Sequence, residues 1–203
     1  IKKYKEKIVL GGAVTIENFL DSVRSKMPEL IEILQRFGSP QIRNQGTIGG
    51  NLCTSSPIGD LAPLLMVLNS DINVFGKNGI KKTNIKNFFK GYRKNILKKD
   101  EIILSIEIPY PNKKNKIFSW KLSKRYDQDI STISLAINIQ TQKNIIKEIQ
   151  MAAGGVAATP KSLDKLCKSM IEKKLDDAID FATENLDKFI QPISDLRGSS
   201  HYR

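Results

Sequence analysis

Two adjacent glycines between polar residues make Thr47–Asn51 (TIGGN) the first candidate in this sequence for binding chemistry. Without Cβ atoms, Gly49 and Gly50 can adopt a positive φ and approach a ligand closely. Exposed N–H groups in such a turn form a concavity that binds anions, and Thr47 and Asn51 add a hydroxyl and an amide. The segment suits a diphosphate, although paired glycines also occur in turns that bind nothing. Its spacing excludes a Walker loop and a G-x-G-x-x-G loop.

A long polar stretch, Gln41–Asp60, surrounds these glycines and contains few apolar residues. A loop of this length inside a compact domain is usually functional or disordered. Asp60 ends the stretch at the N-cap position of a short buried helix that we predict over Leu61–Leu68. Helix capping is the structural explanation for Asp60, and contact with a ligand on the glycines is the functional one. One carboxylate can do both.

The residues before the polar stretch predict one strand and two helices that would position it. Lys7–Leu10 is typical of a strand and runs into Gly11–Gly12. Thr15 is a candidate N-cap, because apolar residues follow it at helical spacing: Ile16, Phe19, Leu20 and Val23. A second helical face follows Pro28 and is formed by Met27, Leu30, Ile31 and Leu34.

After the buried helix the sequence predicts a hairpin and one more strand. The hairpin joins Ile72–Phe75 to Gly79–Ile80 around Lys77-Asn78-Gly79, an Asn-Gly turn. The strand covers Ile102–Pro109 and ends at its proline. A polar, basic segment from Pro111 to Lys116 follows, and it is our candidate linker between domains. We therefore divide the chain into residues 1–112 and 113–203.

The second part reads as strands followed by helices, which is typical of an α+β layer. The strand candidates are Ile117–Lys121, Ser131–Ile139 and Ile145–Ala152. Thr159 and Pro160 have the chemistry of an N-cap and a first helical residue. Two helical faces follow, the first with Leu163, Leu166, Cys167, Met170 and Ile171, the second with Leu175, Ala178, Ile179, Ala182, Leu186 and Phe189.

Composition limits the classes of function. The net charge is +12, from 33 basic and 21 acidic residues, which allows a nucleic-acid-binding module. The lysines are spread from Lys2 to Lys188 without a basic helix or interleaved aromatic residues, so a solvated surface is the preferred interpretation and no nucleic acid is expected. Two cysteines and one histidine are too few for an iron–sulfur cluster or a structural zinc site. We expect a cytoplasmic protein with reduced thiols and no membrane span, because apolar runs are short.

Several segments resemble one family, the flavoproteins of molybdenum hydroxylases. QIRNQGTIGGNLCTSSPIGDLAP is similar to the second flavin-binding loop of that family, which includes xanthine dehydrogenases, aldehyde oxidases and carbon monoxide dehydrogenase medium subunits. Further segments resemble the small subunits of bacterial xanthine dehydrogenases in particular, and they fall in the same order along nearly the whole chain: EIILSIEIPYP, KLSKRYDQDIS, AAGGVAATPKS and PISDLRGSSHYR.

The resemblance implies a fold and a cofactor. The fold would be an α+β FAD-binding domain of the vanillyl-alcohol-oxidase (PCMH) type, here its later part, followed by a smaller α+β domain like the C-terminal domain of carbon monoxide dehydrogenase flavoprotein. The cofactor would be FAD. Five residues would hold its diphosphate region: Thr47, Ile48, Gly49, Gly50 and Asn51.

Four more residues would contact FAD if the resemblance holds. Phe37 would lie beside the flavin or its approach, and Asp60 would bond a polar part of FAD. Ile103 would contact the ligand from a strand, and Lys121 would lie beside the flavin ring. Without the resemblance, Phe37 and Ile103 would be read as core residues and Lys121 as a solvated lysine. No residue is expected to act as a general acid or base, since the cofactor carries the chemistry.

The family's reaction also implies partners. Electrons would leave a purine at a molybdenum cofactor on a large subunit and pass through iron–sulfur clusters to FAD, with NAD as final acceptor. The family's earlier glycine-rich loop and the cluster cysteines of the upstream domains are missing from these 203 residues. We therefore expect part of a longer small subunit, and these 203 residues alone should bind FAD weakly or not at all. The alternatives are another hydroxylase of the group, for aldehydes or carbon monoxide, and the basic nucleic-acid-binding module.

Overall fold

Residues 1–203 form eleven strands and seven α-helices in the computed structural model. The strands are β1 Lys2–Lys3, β2 Lys7–Gly11, β3 Asp71–Gly76, β4 Gly79–Asn84, β5 Phe89–Gly91, β6 Lys94–Asn95, β7 Ile102–Pro109, β8 Lys116–Leu122, β9 Ile133–Gln142, β10 Ile145–Gly154 and β11 Lys161–Ser162. The helices are α1 Ile16–Val23, α2 Ile31–Gln35, α3 Pro40–Gln45, α4 Ile48–Cys53, α5 Leu61–Val67, α6 Asp164–Met170 and α7 Leu175–Asn185. Short 3-10 turns cover Pro28–Leu30, Ile85–Asn87 and Leu186–Lys188.

The first half is built on an antiparallel five-stranded sheet with the order β1-β2-β7-β3-β4. Alternate residues of its strands are buried, as the period of two of a half-buried strand requires. Ile8 and Leu10 of β2 and Ile106 and Ile108 of β7 join the main core with apolar residues of helices α1, α2, α4 and α5. The opposite face of this sheet carries the polar cluster of Lys7, Asn73, Lys82 and Glu107 together with exposed apolar side chains such as Phe75, Ile80 and Ile102.

The second half is built on an antiparallel four-stranded sheet with the order β11-β10-β9-β8. Its inner face lies on α5, and residues such as Ile117 and Ala152 belong to the main core. Its outer face packs on α6 and α7 around a second core of seven buried residues. Helix α5 is fully buried, packs on β9 and β10, and shares the main core with residues of the first sheet. Strand β8 contacts the first half through α2 and the 3-10 turn before it.

Most of the sequence-based elements are confirmed. The hydroxyl of Thr15 accepts the N–H of Asn18 at the start of α1, and β7 has the predicted bounds. The hairpin forms, but its two turn residues are Lys77 and Asn78, and only Gly79 has a positive φ. None of the helices is both long and apolar enough to span a membrane.

The expectation of one long loop over Gln41–Asp60 was wrong. Helices α3 and α4 lie within it, and the hydroxyls of Ser39 and Thr47 cap their first turns. Ile48 and Leu52, four residues apart in α4, are buried in the main core, because residues at this spacing share one face of a helix. The glycine pair is consequently helical, and neither glycine has a positive φ.

The predicted helix start at Thr159 and Pro160 was also wrong. Lys161 and Ser162 instead pair with Ala153 and Ala152 as the short edge strand β11. Helix α6 begins at Asp164, four residues after Pro160. A threonine–proline pair permits a helix start, but pairing along β10 determines the local backbone here.

Candidate functional site

A cleft of about 300 Å³ opens where three connections meet. One connection joins α2 to α3, one joins α4 to α5, and one joins β8 to β9. Thirteen residues line the cleft: Phe37, Gly38, Ile42, Asn51, Ser56, Ile58, Gly59, Asp60, Lys121, Gln128, Asp129, Ile130 and Ser131. Four of the nine residues expected to contact FAD are among them, drawn from distant parts of the sequence: Phe37, Asn51, Asp60 and Lys121.

Asp60 and Lys121 form a buried ion pair at this cleft. Lys121 Nζ lies 2.8 Å from Asp60 Oδ2, and the two side chains are 1% and 9% exposed. Lys121 Nζ also donates to the main-chain oxygen of Arg36 at 3.1 Å. Ser131 Oγ donates to the other carboxylate oxygen of Asp60. Lys121 is therefore not the solvated lysine that an isolated sequence would suggest.

The Lys121 ammonium has a donor to spare. An ammonium carries three N–H groups, and Asp60 and the Arg36 carbonyl account for two of them. Because Lys121 lines the cleft, its third N–H can donate to a ligand there. The protein thus holds a positive charge in a fixed position at the cleft, with its counter-charge Asp60 lining the same cleft.

Asp60 does not cap helix α5, contrary to the structural role that its position suggested. It has helical dihedral angles (φ −68°, ψ −32°), and its side chain makes no capping hydrogen bond. An N-cap residue usually has an extended backbone and accepts from the second or third helical N–H. The carboxylate turns instead to Lys121 and Ser131, so the ion pair is the observed role of this residue.

The N–H groups of the glycine segment are already bonded within the chain. Those of Ile48 and Gly49 donate to the main-chain oxygens of Val14 and Gly12, each at 2.9 Å. The N–H of Gly50 donates to Thr47 Oγ1 at 3.0 Å, and that of Asn51 to the main-chain oxygen of Thr47 at 2.9 Å. These amides therefore do not form the open anion-binding turn that the sequence suggested.

The two glycines have different surroundings. A Cβ on Gly49 would lie 2.6 Å from the main-chain oxygen of Gly12, whereas a Cβ on Gly50 would approach only the Thr47 hydroxyl, at 2.8 Å. Gly12 in turn lies against Ile103, since its own Cβ would be 2.1 Å from the Ile103 oxygen. Gly49 and Ile103 are thus joined through Gly12 in close backbone packing, while Gly50 is exposed.

Five of the expected FAD contacts do not line the cleft. Ile48, Gly49 and Ile103 are buried in or against the main core, and Thr47 and Gly50 lie on α4 next to Asn51, which does line it. The structure therefore places a polar cleft and a glycine-containing helix side by side, with Asn51 in both. It does not gather all nine residues around one cavity.

The segment from Ser123 to Ile130, which joins β8 to β9, is held from both sides by arginines that sequence reasoning missed. Arg36 Nη1 donates to the main-chain oxygen of Lys121 at 2.9 Å, and its guanidinium lies 4.5 Å from the centre of the Tyr126 ring. Arg197 Nη1 donates to Asp129 Oδ1 at 2.8 Å. The Arg125 N–H donates to the same carboxylate and, with Arg197 nearby, holds the pKa of Asp129 below its usual value.

The lining of the cleft combines apolar side chains with hydrogen-bonding groups. Phe37, Ile42, Ile58 and Ile130 offer apolar surface, and amide, hydroxyl and ammonium groups offer hydrogen bonds. Small-molecule sites typically combine apolar walls with a few placed polar groups, in volumes of roughly 300–1,000 Å³. The cleft is at the lower end of that range, which suits an aromatic ring system better than a whole dinucleotide.

Two family models together match almost the whole chain. The model described as the FAD binding domain in molybdopterin dehydrogenase matches residues 1–111. The model described as the CO dehydrogenase flavoprotein C-terminal domain matches residues 118–203. These matches confirm the expected fold, an α+β FAD-binding domain followed by a carbon monoxide dehydrogenase flavoprotein C-terminal domain. They also confirm FAD as the cofactor of the first domain.

The relatives of this chain include more than one kind of enzyme. The chain is 31% identical to the xanthine dehydrogenase/oxidase of Gallus gallus over 197 residues, which are 88% of this chain and 14% of that protein. It is 32% identical to the glyceraldehyde dehydrogenase medium chain of Sulfolobus acidocaldarius over 206 residues, which are 100% of this chain and 73% of that one. The chain thus spans a small part of the first relative and most of the second.

A solved structure shares the fold. The superposition on a carbon monoxide dehydrogenase from Hydrogenophaga pseudoflava has a TM-score of 0.93 and covers 100% of this chain and 71% of that chain. The identity is 24%, so the likeness speaks for the fold alone.

Proposed function

The chain belongs to the family of FAD-binding domains of molybdopterin dehydrogenases, and on that premise we propose that its cleft holds the flavin ring of FAD in a molybdenum hydroxylase. The observation that carries this proposal is the buried Lys121–Asp60 pair with one Lys121 N–H left for a ligand. When bound, FAD supplies a carrier that takes up electrons and passes them to an acceptor. The chain supplies binding, orientation and a fixed charge.

Lys121 would hold the electronegative edge of the ring. Its ammonium is fixed by Asp60 and the Arg36 carbonyl, so it needs no rearrangement when charge develops on a bound ligand. Preorganised charge in a partly water-excluded site is more effective than the same charge in water. A cation beside the ring favours the form with more negative charge, and the protein thereby tunes the cofactor's electronics.

The apolar lining would hold the ring faces and exclude water. Phe37 lies two residues after the end of α2, and Gly38, with φ +56°, turns the chain into the Ser39 cap of α3. This turn brings Ile42 of α3 back to the same cleft. Ile58 and Ile130 contribute from the other two connections, so the apolar contacts come from all three segments that form the cleft.

The diphosphate region would lie along α4. Because the N–H groups of Ile48, Gly49 and Asn51 are bonded to main-chain oxygens, contact would come from the exposed surface of Gly50 and from the side chains of Thr47 and Asn51. Ile48, Gly49 and Ile103 would support this surface from beneath through the packing against Gly12.

The finer proposal is that the whole enzyme is a xanthine dehydrogenase. In it, a molybdenum-binding large subunit and upstream iron–sulfur domains would deliver electrons from a purine, and NAD would accept them. The segment KLSKRYDQDIS and the identity to the Gallus gallus protein support it. A second candidate is an aldehyde-oxidising enzyme with a separate medium chain, supported by the match to 73% of the glyceraldehyde dehydrogenase medium chain.

Flavin analysis tests the first proposal. The full-length natural protein should purify with a flavin that denaturation releases as FAD, not FMN. Lys121→Met should lose most of this FAD, whereas Lys82→Met, an exposed lysine on the other face of the first sheet, should keep it. Release of FMN alone, or no flavin from protein with a normal circular dichroism spectrum, contradicts the proposal.

Substrate assays distinguish the two enzyme candidates. The purified complex with its molybdenum subunit should reduce NAD with hypoxanthine or xanthine and fail to oxidise glyceraldehyde or carbon monoxide. Turnover of glyceraldehyde without turnover of either purine would favour the second candidate. Neither result affects the assignment of FAD to the cleft, which the flavin analysis decides.

A further inference from the structure

Arg36 and Lys121 are joined by a reciprocal pair of hydrogen bonds. The Arg36 guanidinium donates through Nη1 to the main-chain oxygen of Lys121 at 2.9 Å. The Lys121 ammonium donates to the main-chain oxygen of Arg36 at 3.1 Å. Each side chain therefore fixes the backbone that carries the other, and the C-terminal end of α2 is tied to strand β8 across 85 residues of sequence.

The same guanidinium also holds the segment that follows β8. Its Nε donates to the main-chain oxygen of Tyr126 at 3.3 Å, and its Nη2 lies 3.4 Å from Ser123 Oγ. Its carbon lies 4.5 Å from the centre of the Tyr126 ring, within the range of a cation–π contact. A planar guanidinium can serve several acceptors in fixed directions, which an ammonium cannot do.

These contacts place Arg36 behind the cleft and not in it. Arg36 is absent from the lining, while its chain neighbour Phe37 and its bonding partner Lys121 both belong to the lining. Gln128, Asp129 and Ile130 of the following segment also line the cleft. One side chain thus sets the relative position of all three groups that would meet the ring.

We propose that Arg36 is a positioning residue for the flavin site, which acts by fixing the Lys121 ammonium and the Ser123–Ile130 segment relative to Phe37. This inference rests on the proposed function of the cleft. It assigns to Arg36 no contact with FAD, and it predicts that losing the guanidinium weakens FAD binding and alters the bound flavin without removing any ligand contact.

The test compares Arg36→Met with Arg93→Met in the full-length protein. Arg93 also lies over a tyrosine, with its guanidinium carbon 5.9 Å from the Tyr92 ring, but it does not line the cleft. We expect Arg36→Met to raise the dissociation constant for FAD about tenfold, because a displaced Lys121 ammonium makes a weaker charge-assisted hydrogen bond to the ligand. The reduction potential of the flavin should fall and its visible circular dichroism should change, because the cation is less well fixed. Arg93→Met should match wild type in all three.

Two further variants separate positioning from charge and from folding. Arg36→Lys keeps the positive charge but lacks the several fixed N–H directions of the guanidinium, so it should restore only part of the affinity for FAD. If Arg36→Met does not fold, Arg36→Lys is the variant to compare with wild type. Tyr126→Leu keeps the main-chain acceptor and loses the ring contact, so it should weaken FAD binding about two- to fivefold.

The outcomes are distinct. Wild-type affinity, potential and circular dichroism in folded Arg36→Met would overturn the inference and leave the proposed function intact, and full restoration by Arg36→Lys would also overturn it. Absence of FAD from the wild-type protein would instead refute the proposed function and the inference together.

Discussion

Two lysine–carboxylate groups, one at the cleft and one on the polar face of the first sheet, differ in burial far more than in bond length. Lys121 and Asp60 are 2.8 Å apart with side chains 1% and 9% exposed. Lys7 and Lys82 lie 2.6 Å and 3.0 Å from Glu107, but the two lysine side chains are 40% and 49% exposed. The distances alone, one shorter and one longer than that of the buried pair, would not separate the two groups.

Because the two groups differ in burial, their ion pairs contribute differently to the stability of the fold. Exposed pairs contribute about 0–1 kcal/mol each and weaken in salt. A buried pair pays a large desolvation cost, and removing one partner leaves an unpaired charge in the interior. A protein that keeps such a pair at the wall of a cleft holds a preorganised charge there, which is useful where a ligand must be held and polarised.

Breaking the buried pair should have the largest effect. Lys121→Met leaves the Asp60 carboxylate without its cation, and we expect a loss of about 3–5 kcal/mol in the free energy of unfolding. Denaturant titration of the variant and wild type measures this loss. The double variant Lys121→Met/Asp60→Asn should recover much of it, because the remaining amide can still accept from Ser131. A single variant as stable as wild type would show that the pair is not buried as described.

The next effect compares two neighbouring glycines. Gly49→Ala places a Cβ 2.6 Å from the Gly12 oxygen and should cost about 1–3 kcal/mol, since backbone must move. Gly50→Ala meets only the Thr47 hydroxyl, which can rotate away at the cost of its cap hydrogen bond, so the loss should be smaller, about 1 kcal/mol or less. Thermal melts of both variants check this. Equal destabilisation by the two changes would contradict the packing of α4 on Gly12.

Replacing Glu107, in the more exposed group, should have a smaller effect on the free energy of unfolding, and this effect should depend on pH. Hydrogen bonds from Asn73, Lys7 and Lys82 lower the pKa of Glu107 to about 2, against about 4.3 in an unfolded chain. The resulting stabilisation of the folded state is complete at pH values above the pKa of Glu107 in the unfolded chain. It is lost as the pH falls from about 4 toward 2. Glu107→Gln should lose roughly 1–2 kcal/mol at pH 7, after allowance for solvent screening, and little near pH 2. Urea titrations at both pH values measure the difference, and a loss independent of pH would contradict this cause.

The smallest effect belongs to Lys82. Lys82→Gln removes ion pairs with Glu107 and Asp71, each at 3.0 Å, and should cost less than about 1 kcal/mol. The difference from wild type should shrink in 1 M salt, where charges separated by more than about 3 Å are screened. A cost that equals that of Lys121→Met would remove the distinction between the two groups.

Local patterns in the sequence predicted local structure well. Helix α1 follows its Thr15 cap, and strand β7 follows its alternation, because both signals lie within a few residues. Helix α4 was missed because IGGNLC contains two residues with poor helix propensity. It forms through the Thr47 cap and the burial of Ile48 and Leu52, and such tertiary support has no local signal.

The site divides in the same way. Thr47–Asn51 became a candidate from its residue types, and the structure makes it a helix where an open turn was expected. Phe37, Ile103 and Lys121 became candidates only through the family resemblance. The partner of Asp60 lies 61 residues away, and that of Arg36 lies 85 residues away. No spacing rule connects such positions, so the ion pair and its arginine brace appear only once the two sheets are packed on α5.

The affinity of the double variant Lys121→Met/Asp60→Asn for FAD tests the central claim most directly, because it removes both charges of the pair together and leaves no unpaired charge in the interior. Calorimetric titration of FAD into full-length apoprotein should give a dissociation constant at least about tenfold above wild type, with a melting temperature near that of wild type. The same titration of Lys82→Gln provides the control and should match wild type. A double variant that binds FAD as tightly as wild type would show that the buried pair supports the fold and has no part in holding the flavin.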